Sequence, residues 1–149
     1  MERKPVLPPL YLFASLIIMA LLHFLAPVAI YITFPYNLVG SIPLALGVAL
    51  NLVADAAFKR CHTTVKPFEE STVLVTDGVF RFSRHPMYLG MVFILLGIAI
   101  LMGSLTPLIV VVAFGVAMDR VFVGTEEKML EEKFENTWRQ YKGRVRRWL

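Results

Sequence analysis

Cysteine occurs once in the 149 residues, at Cys61, so no internal disulfide can form and no cysteine pair stands at a metal-ligand spacing. No metal is expected. Charge is scarce through most of the chain: residues 10–34 carry none, residues 38–58 carry only Asp55, and residues 87–123 carry only Asp119 and Arg120. The 15 Lys and Arg outnumber the 11 Asp and Glu, for a net charge of +4, but they form no stripe interleaved with aromatics. That excludes a nucleic-acid partner; the bases flank apolar runs instead, as membrane-surface charges do. A cleavable signal peptide is not expected either. The first apolar run follows Glu2-Arg3-Lys4-Pro5, which has the look of a signal n-region, yet the run is too long and lacks a small-x-small exit. It reads as a retained anchor.

Hydrophobic residues make up 57% of the chain and mean hydropathy is +0.66, above the roughly 45–50% apolar content of soluble domains. The length suits one domain, 1–149, and the surplus apolar surface must face lipid. The pattern predicts an all-α, polytopic membrane protein with four transmembrane helices over about 10–34, 38–58, 86–102 and 106–123. Pro27 is expected to kink the first, and His23 within it reads as a hydrogen-bonded packing residue. In the second, Gly47, Asn51 and Asp55 recur every four residues and share one face, which small and polar types assign to helix packing. Asp55 has two readings, an i,i+4 pair with Lys59 or a ligand contact.

A polar loop joins the second and third spans. It contains the strand-like Thr72-Val73-Leu74-Val75, the turn Asp77-Gly78 and the bases Lys59, Arg60, Lys66, Arg81 and Arg84, and is expected to lie over the membrane end of the bundle. Residues 125–142 place Leu130, Phe134, Trp138 and Tyr141 on one face, an amphipathic interfacial helix, and residues 145–149 read as a basic, aromatic headgroup anchor. Every Lys and Arg falls in the N-terminal tail, in this loop or from Arg120 onward, and none in the short connections near Asn37 and Ser104. With four crossings, the positive-inside rule makes the loop and both termini cytoplasmic.

At Ser83-Arg84-His85-Pro86-Met87-Tyr88-Leu89-Gly90 a basic loop turns into an apolar helix. Proline suits a first helical turn, and the unpartnered N–H groups of that turn form an anion site. Glu126-Glu127 open the C-terminal helix, where acids complement the helix dipole. If loop and helix share a membrane face, Arg84-His85 come within reach of this acidic pair. The residues alone describe a polar pocket without naming its ligand.

Leu74-Val75-Thr76-Asp77-Gly78-Val79-Phe80-Arg81, the Ser83 to Gly90 motif, and Glu126-Glu127 with Leu130, Phe134, Tyr141 and Val145 together resemble the isoprenylcysteine carboxyl methyltransferase family. These integral-membrane enzymes are related to the phospholipid N-methyltransferases. The resemblance covers roughly residue 63 onward and implies an S-adenosylmethionine site held by His85, Tyr88, Leu89, Gly90, Glu126 and Glu127. Gly90 would let the adenosine approach closely. The acceptor implied is a lipophilic small molecule or lipidated cysteine, most simply a prenylcysteine carboxylate, with membrane lipid around it. Arg120, Arg84 and Arg60 are the candidates to hold that carboxylate. No general base stands out, since His62 has no recognisable context, which favours a carboxylate over an amine acceptor. The chain departs from the family pattern at Phe80, where Tyr is usual, at Glu135, where Gly is common, and at Trp138, a usual Tyr. The alternatives are a phospholipid or small-lipid N-methyltransferase and, outside enzymes, a membrane assembly subunit. A sterol-reductase reading is disfavoured because Met87 and Met91 stand where those enzymes have Asn and Asp.

Overall fold

The computed structural model describes residues 7–61 and 73–149, and within them the chain is helical with no strand. His62, Lys66, Thr72 and the 63–67 stretch lie outside the described residues; Val73-Leu74-Val75 forms no strand. Helix α1 spans Pro8–Leu25, α2 Ser41–Arg60, α3 Pro86–Met102, α4 Thr106–Ala117 and α5 Gly124–Arg144. Three segments are long and apolar enough to cross a membrane, namely Pro8–Leu25, Tyr36–Arg60 and Thr106–Arg144, and Pro86–Met102 is a shorter apolar helix. This is the architecture of a polytopic membrane protein.

The first span is shorter than the 10–34 expected. Pro27 ends α1 rather than kinking it, because the residue before a proline is pushed out of the helical region. Residues 26–33 then leave the helix, and non-helical backbone in so apolar a stretch needs partners. The α3–α4 turn supplies them: Tyr31 N–H donates to the Gly103 carbonyl at 3.0 Å, Leu105 N–H to Ala29 at 3.0 Å and the Thr106 hydroxyl to Ala26 at 2.9 Å. Gly103, at φ +73°, makes the left-handed helix end that allows this turn. His23 contacts the Ser104 hydroxyl at 2.7 Å through Nδ1, the packing role expected of it.

Helices α2 and α3 run antiparallel in backbone contact, which glycines permit. A Cβ on Gly47 would lie 2.5 Å from the Gly90 carbonyl oxygen, and one on Gly97 would lie 2.6 Å from that of Gly40. The shared face of α2 is thus a helix contact, and Asn51 adds a bond from Nδ2 to the Gly47 carbonyl at 2.9 Å. Asp55 pairs with Lys59 at 2.6 Å, the simpler of its two readings. Helices α1, α3 and α4 enclose the main core around Met19, Leu95, Phe114, Met118 and Phe122, while Ala54, Val75 and Phe80 seat the described part of the loop on α2.

The C-terminal helix is not separate from the last span. A π turn over Met118–Val123 carries α4 directly into α5. Nor does its apolar face rest wholly on lipid: Trp138 and Tyr141 are buried, with the Tyr141 hydroxyl donating to the Phe80 carbonyl at 2.6 Å. Glu135 breaks α5 at φ 39°, ψ −110°. A side chain there costs on the order of 1 kcal/mol or more, so Glu135→Gly should stabilise the protein by about 1 kcal/mol. A thermal melt in detergent checks this, and an unchanged or lower melting temperature contradicts it.

Candidate active site

Pro86 starts α3 and leaves His85 as its N-terminal flanking residue, with the His85 N–H bonded to Ser83 Oγ at 3.2 Å. By helix geometry the N–H groups of Met87 and Tyr88 have no intrahelical acceptor. Facing them is the first turn of α5, carrying Glu126 and Glu127. The His85 ring lies between the two acids, Nδ1 3.5 Å from Glu126 Oε2 and Nε2 3.4 Å from Glu127 Oε1. Tyr88 donates its hydroxyl to Glu126 at 2.5 Å. Arg84 Nη1 is 3.2 Å from Glu127 Oε1, and its guanidinium lies 5.7 Å from the Trp138 ring centre.

Electrostatics follow from this packing. Burial alone would raise the Glu127 carboxyl, but hydrogen bonds from His85 and Arg147 and the charges of Arg84 and His85 overrule it and hold it at about 2. Burial likewise opposes a charged His85, yet hydrogen bonds and charge from Glu126 and Glu127 leave its pKa raised. The pair therefore favours imidazolium between carboxylates, the form with a donor on each ring nitrogen.

Of the residues singled out from sequence, Arg84, His85, Tyr88, Glu126 and Glu127 come together in one cluster. Leu89 is buried beside Tyr88 in the first turn of α3. Gly90 faces α2, where a Cβ would meet Asn51 and Gly47, so its small size serves the helix contact. Arg120 is exposed on the π turn and Arg60 is exposed at the end of α2, and among the described residues no hydrogen bond or ion pair joins either to the cluster. Two members went unrecognised in the sequence. Arg147 grips Glu127 with Nε to Oε1 at 3.2 Å and Nη2 to Oε2 at 2.7 Å, and Asp119 accepts from Arg147 and from the Trp148 indole. The signal available was Asp119 itself, since an acid inside an apolar run needs a partner.

Two groups of the cluster are open to a ligand. Glu126 is 22% exposed and contacts Tyr88 and His85, whereas Glu127 is enclosed by three cations. Arg84 has an 8% exposed side chain; Nη1 is ion-paired with Glu127, while Nε has no acceptor among the described residues. Buried donors of this kind call for an acceptor.

Residues 35–137 match the phospholipid methyltransferase family, a stretch running from the start of α2 into α5 and including both halves of the cluster. The chain belongs to the phospholipid methyltransferase family. Among curated members it is similar to the protein-S-isoprenylcysteine O-methyltransferase of Schizosaccharomyces pombe, 24% identical over 119 residues, and to that of Saccharomyces cerevisiae, 32% identical over 125 residues. These alignments take in 78% and 75% of this chain but 49% and 51% of the yeast proteins, so the chain spans about half the length of these relatives. An uncharacterized Haemophilus influenzae protein is 36% identical over 63 residues, its whole length and 42% of this chain. No solved structure matches the chain.

Proposed function

We propose that this member of the phospholipid methyltransferase family moves a methyl group from S-adenosylmethionine to a lipophilic acid in the membrane, the carboxylate of a prenylated cysteine being the acceptor that fits the site best. The observation that carries this reading is the buried Arg84, paired with Glu127 through Nη1 but with no acceptor for Nε among the described residues, in one cluster with the partly open Glu126. Glu126 suits the ammonium of the cofactor, and Arg84 suits the anionic acceptor.

Glu126 and Tyr88 would receive the ammonium or ribose hydroxyls, and the first-turn amides of α3 a carboxylate. The bound cofactor supplies a sulfonium-linked methyl group, and its transfer to a carboxylate leaves a neutral thioether and an ester with no proton to move. The chain's task is then alignment and exclusion of water. Arg84, of the three candidate arginines, is the one in the cluster and would hold the acceptor carboxylate, with Trp138 against its guanidinium. His85 is engaged by both acids, which favours an acceptor that needs no deprotonation. The yeast relatives' name supports the carboxylate reading; the family's name supports a phospholipid amine as the second.

We further propose four crossings with the site on the cytoplasmic face. Supporting this, Tyr11 meets Phe122 at one end of the bundle while His23 meets Ser104 at the other, so that α1 and α3 run opposite to α2 and α4, and the bases gather at the site end. The test is a labelled-methyl assay on the purified protein. Incorporation into a prenylcysteine analogue and not into phosphatidylethanolamine is expected; the reverse would replace the acceptor, and no incorporation together with no stabilisation by S-adenosylhomocysteine would remove the reading. At 100 times its dissociation constant that product should add about 2.7 kcal/mol of stability.

A further inference from the structure

Past α5 the chain turns extended at Val145 and doubles back over the start of α3. The Arg84 N–H donates to the Arg146 carbonyl at 3.0 Å and the Ser83 hydroxyl to the Arg147 carbonyl at 3.2 Å, which straps the tail across the site. From this strap Arg147 reaches inward. One edge of its guanidinium takes both oxygens of Glu127, and Nη1 reaches the Asp119 carboxylate at 3.3 and 3.4 Å. Trp148 donates its indole N–H to the same Asp119 at 3.0 Å, and its ring packs against the main core. A bidentate fork fixes direction as well as charge.

Resting on the methyltransferase reading, we propose that Arg147 is a positioning residue of the cofactor site, itself aimed by Asp119 and Trp148. Glu127 has two oxygens in a buried setting, and Oε2 has Arg147 as its donor. Oε1 already stands 3.2 Å from Arg84 Nη1; without the fork Oε2 loses its donor and the carboxylate is free to rotate away from His85. Arg147 thus holds Glu127 against His85 and Arg84 and leaves Glu126 as the acid that meets the ligand. The tail is a wall of the site.

Binding of S-adenosylhomocysteine to the purified full chain, followed by calorimetry across pH, tests this. Arg147→Gln should weaken binding about 10- to 100-fold, the fold-change that loss of one hydrogen bond between charged groups gives. The midpoint of the pH dependence should also move upward. His85 faces Glu126, Glu127 and Tyr88 with Arg84 alongside, and removing a cation from behind Glu127 strengthens the field that favours imidazolium. Packing damage alone would not shift that midpoint. Arg147→Lys, which keeps the charge and loses the fork, should weaken binding without the full shift, and serves if the Gln variant does not fold. If wild type binds and both variants that fold match it in affinity and midpoint, the positioning role is wrong while the methyltransferase reading stands. If wild type itself does not bind, that reading fails first.

Discussion

Glu127→Gln is expected to abolish cofactor binding and to lower stability by about 3–5 kcal/mol, the cost of removing one partner from a buried ionic group. Three cations converge on this carboxylate, and the amide can accept from only one oxygen. The pH dependence has two parts. Glu127 is depressed from 4.5 to about 2, so its stabilisation is fully present above about 4.5 and is lost as pH falls toward 2. His85 is raised from 6.5, so its share is present below 6.5 and is lost as pH rises through its folded value. The difference between wild type and Glu127→Gln should therefore be largest between pH 4.5 and 6.5, shrink in part above, where Arg84 and Arg147 still act, and vanish in strong acid. Chemical or thermal unfolding in detergent at several pH values measures it. A difference independent of pH would mean that Glu127 is not the ionic hub.

The second large effect concerns the α2–α3 contact. Gly47→Ala and Gly97→Ala should each cost about 1–3 kcal/mol by overpacking, because the atoms met are backbone and cannot rotate away. The two sites are far enough apart for their effects to add. Gly47→Leu should cost more and displace α3, and with it His85 and Arg84. Gly143→Ala is the matched control: nothing lies within 4 Å of its Cβ, and alanine in a helix should gain about 0.5–1 kcal/mol. Equal melting temperatures for the Ala variants at 47, 97 and 143 would dismiss backbone contact as the reason for the glycines.

Much of the fold is legible in the sequence because the membrane leaves few options: uncharged runs of sufficient length must be helical, since each backbone group has to bond within its own segment. The boundaries of α2 and α3, the break at Gly103 and the packing face through Gly47 and Asn51 all follow from local chemistry. Residues 26–34 do not. Their composition is as apolar as a helix requires, and the partners offered by Gly103, Leu105 and Thr106 offset the loss of helical bonds along the non-helical path. The π turn is equally hidden, because continuing a helix through Gly124 or stopping it there depends on what α5 must reach.

The site divides along the same line. Sequence by itself determined the two halves, Arg84-His85 with Tyr88 on one side and Glu126-Glu127 on the other, because a proline-started helix and an acidic first turn announce themselves locally. Tertiary structure alone decided which acid is enclosed and which is open, which of three arginines keeps a buried, unused donor, and that Arg147 and Asp119 belong to the site at all. Those outcomes depend on where the last five residues fold back, and a contact between positions 119, 127 and 147 has no signature in spacing: it exists only once a π turn and a chain reversal have brought the three together.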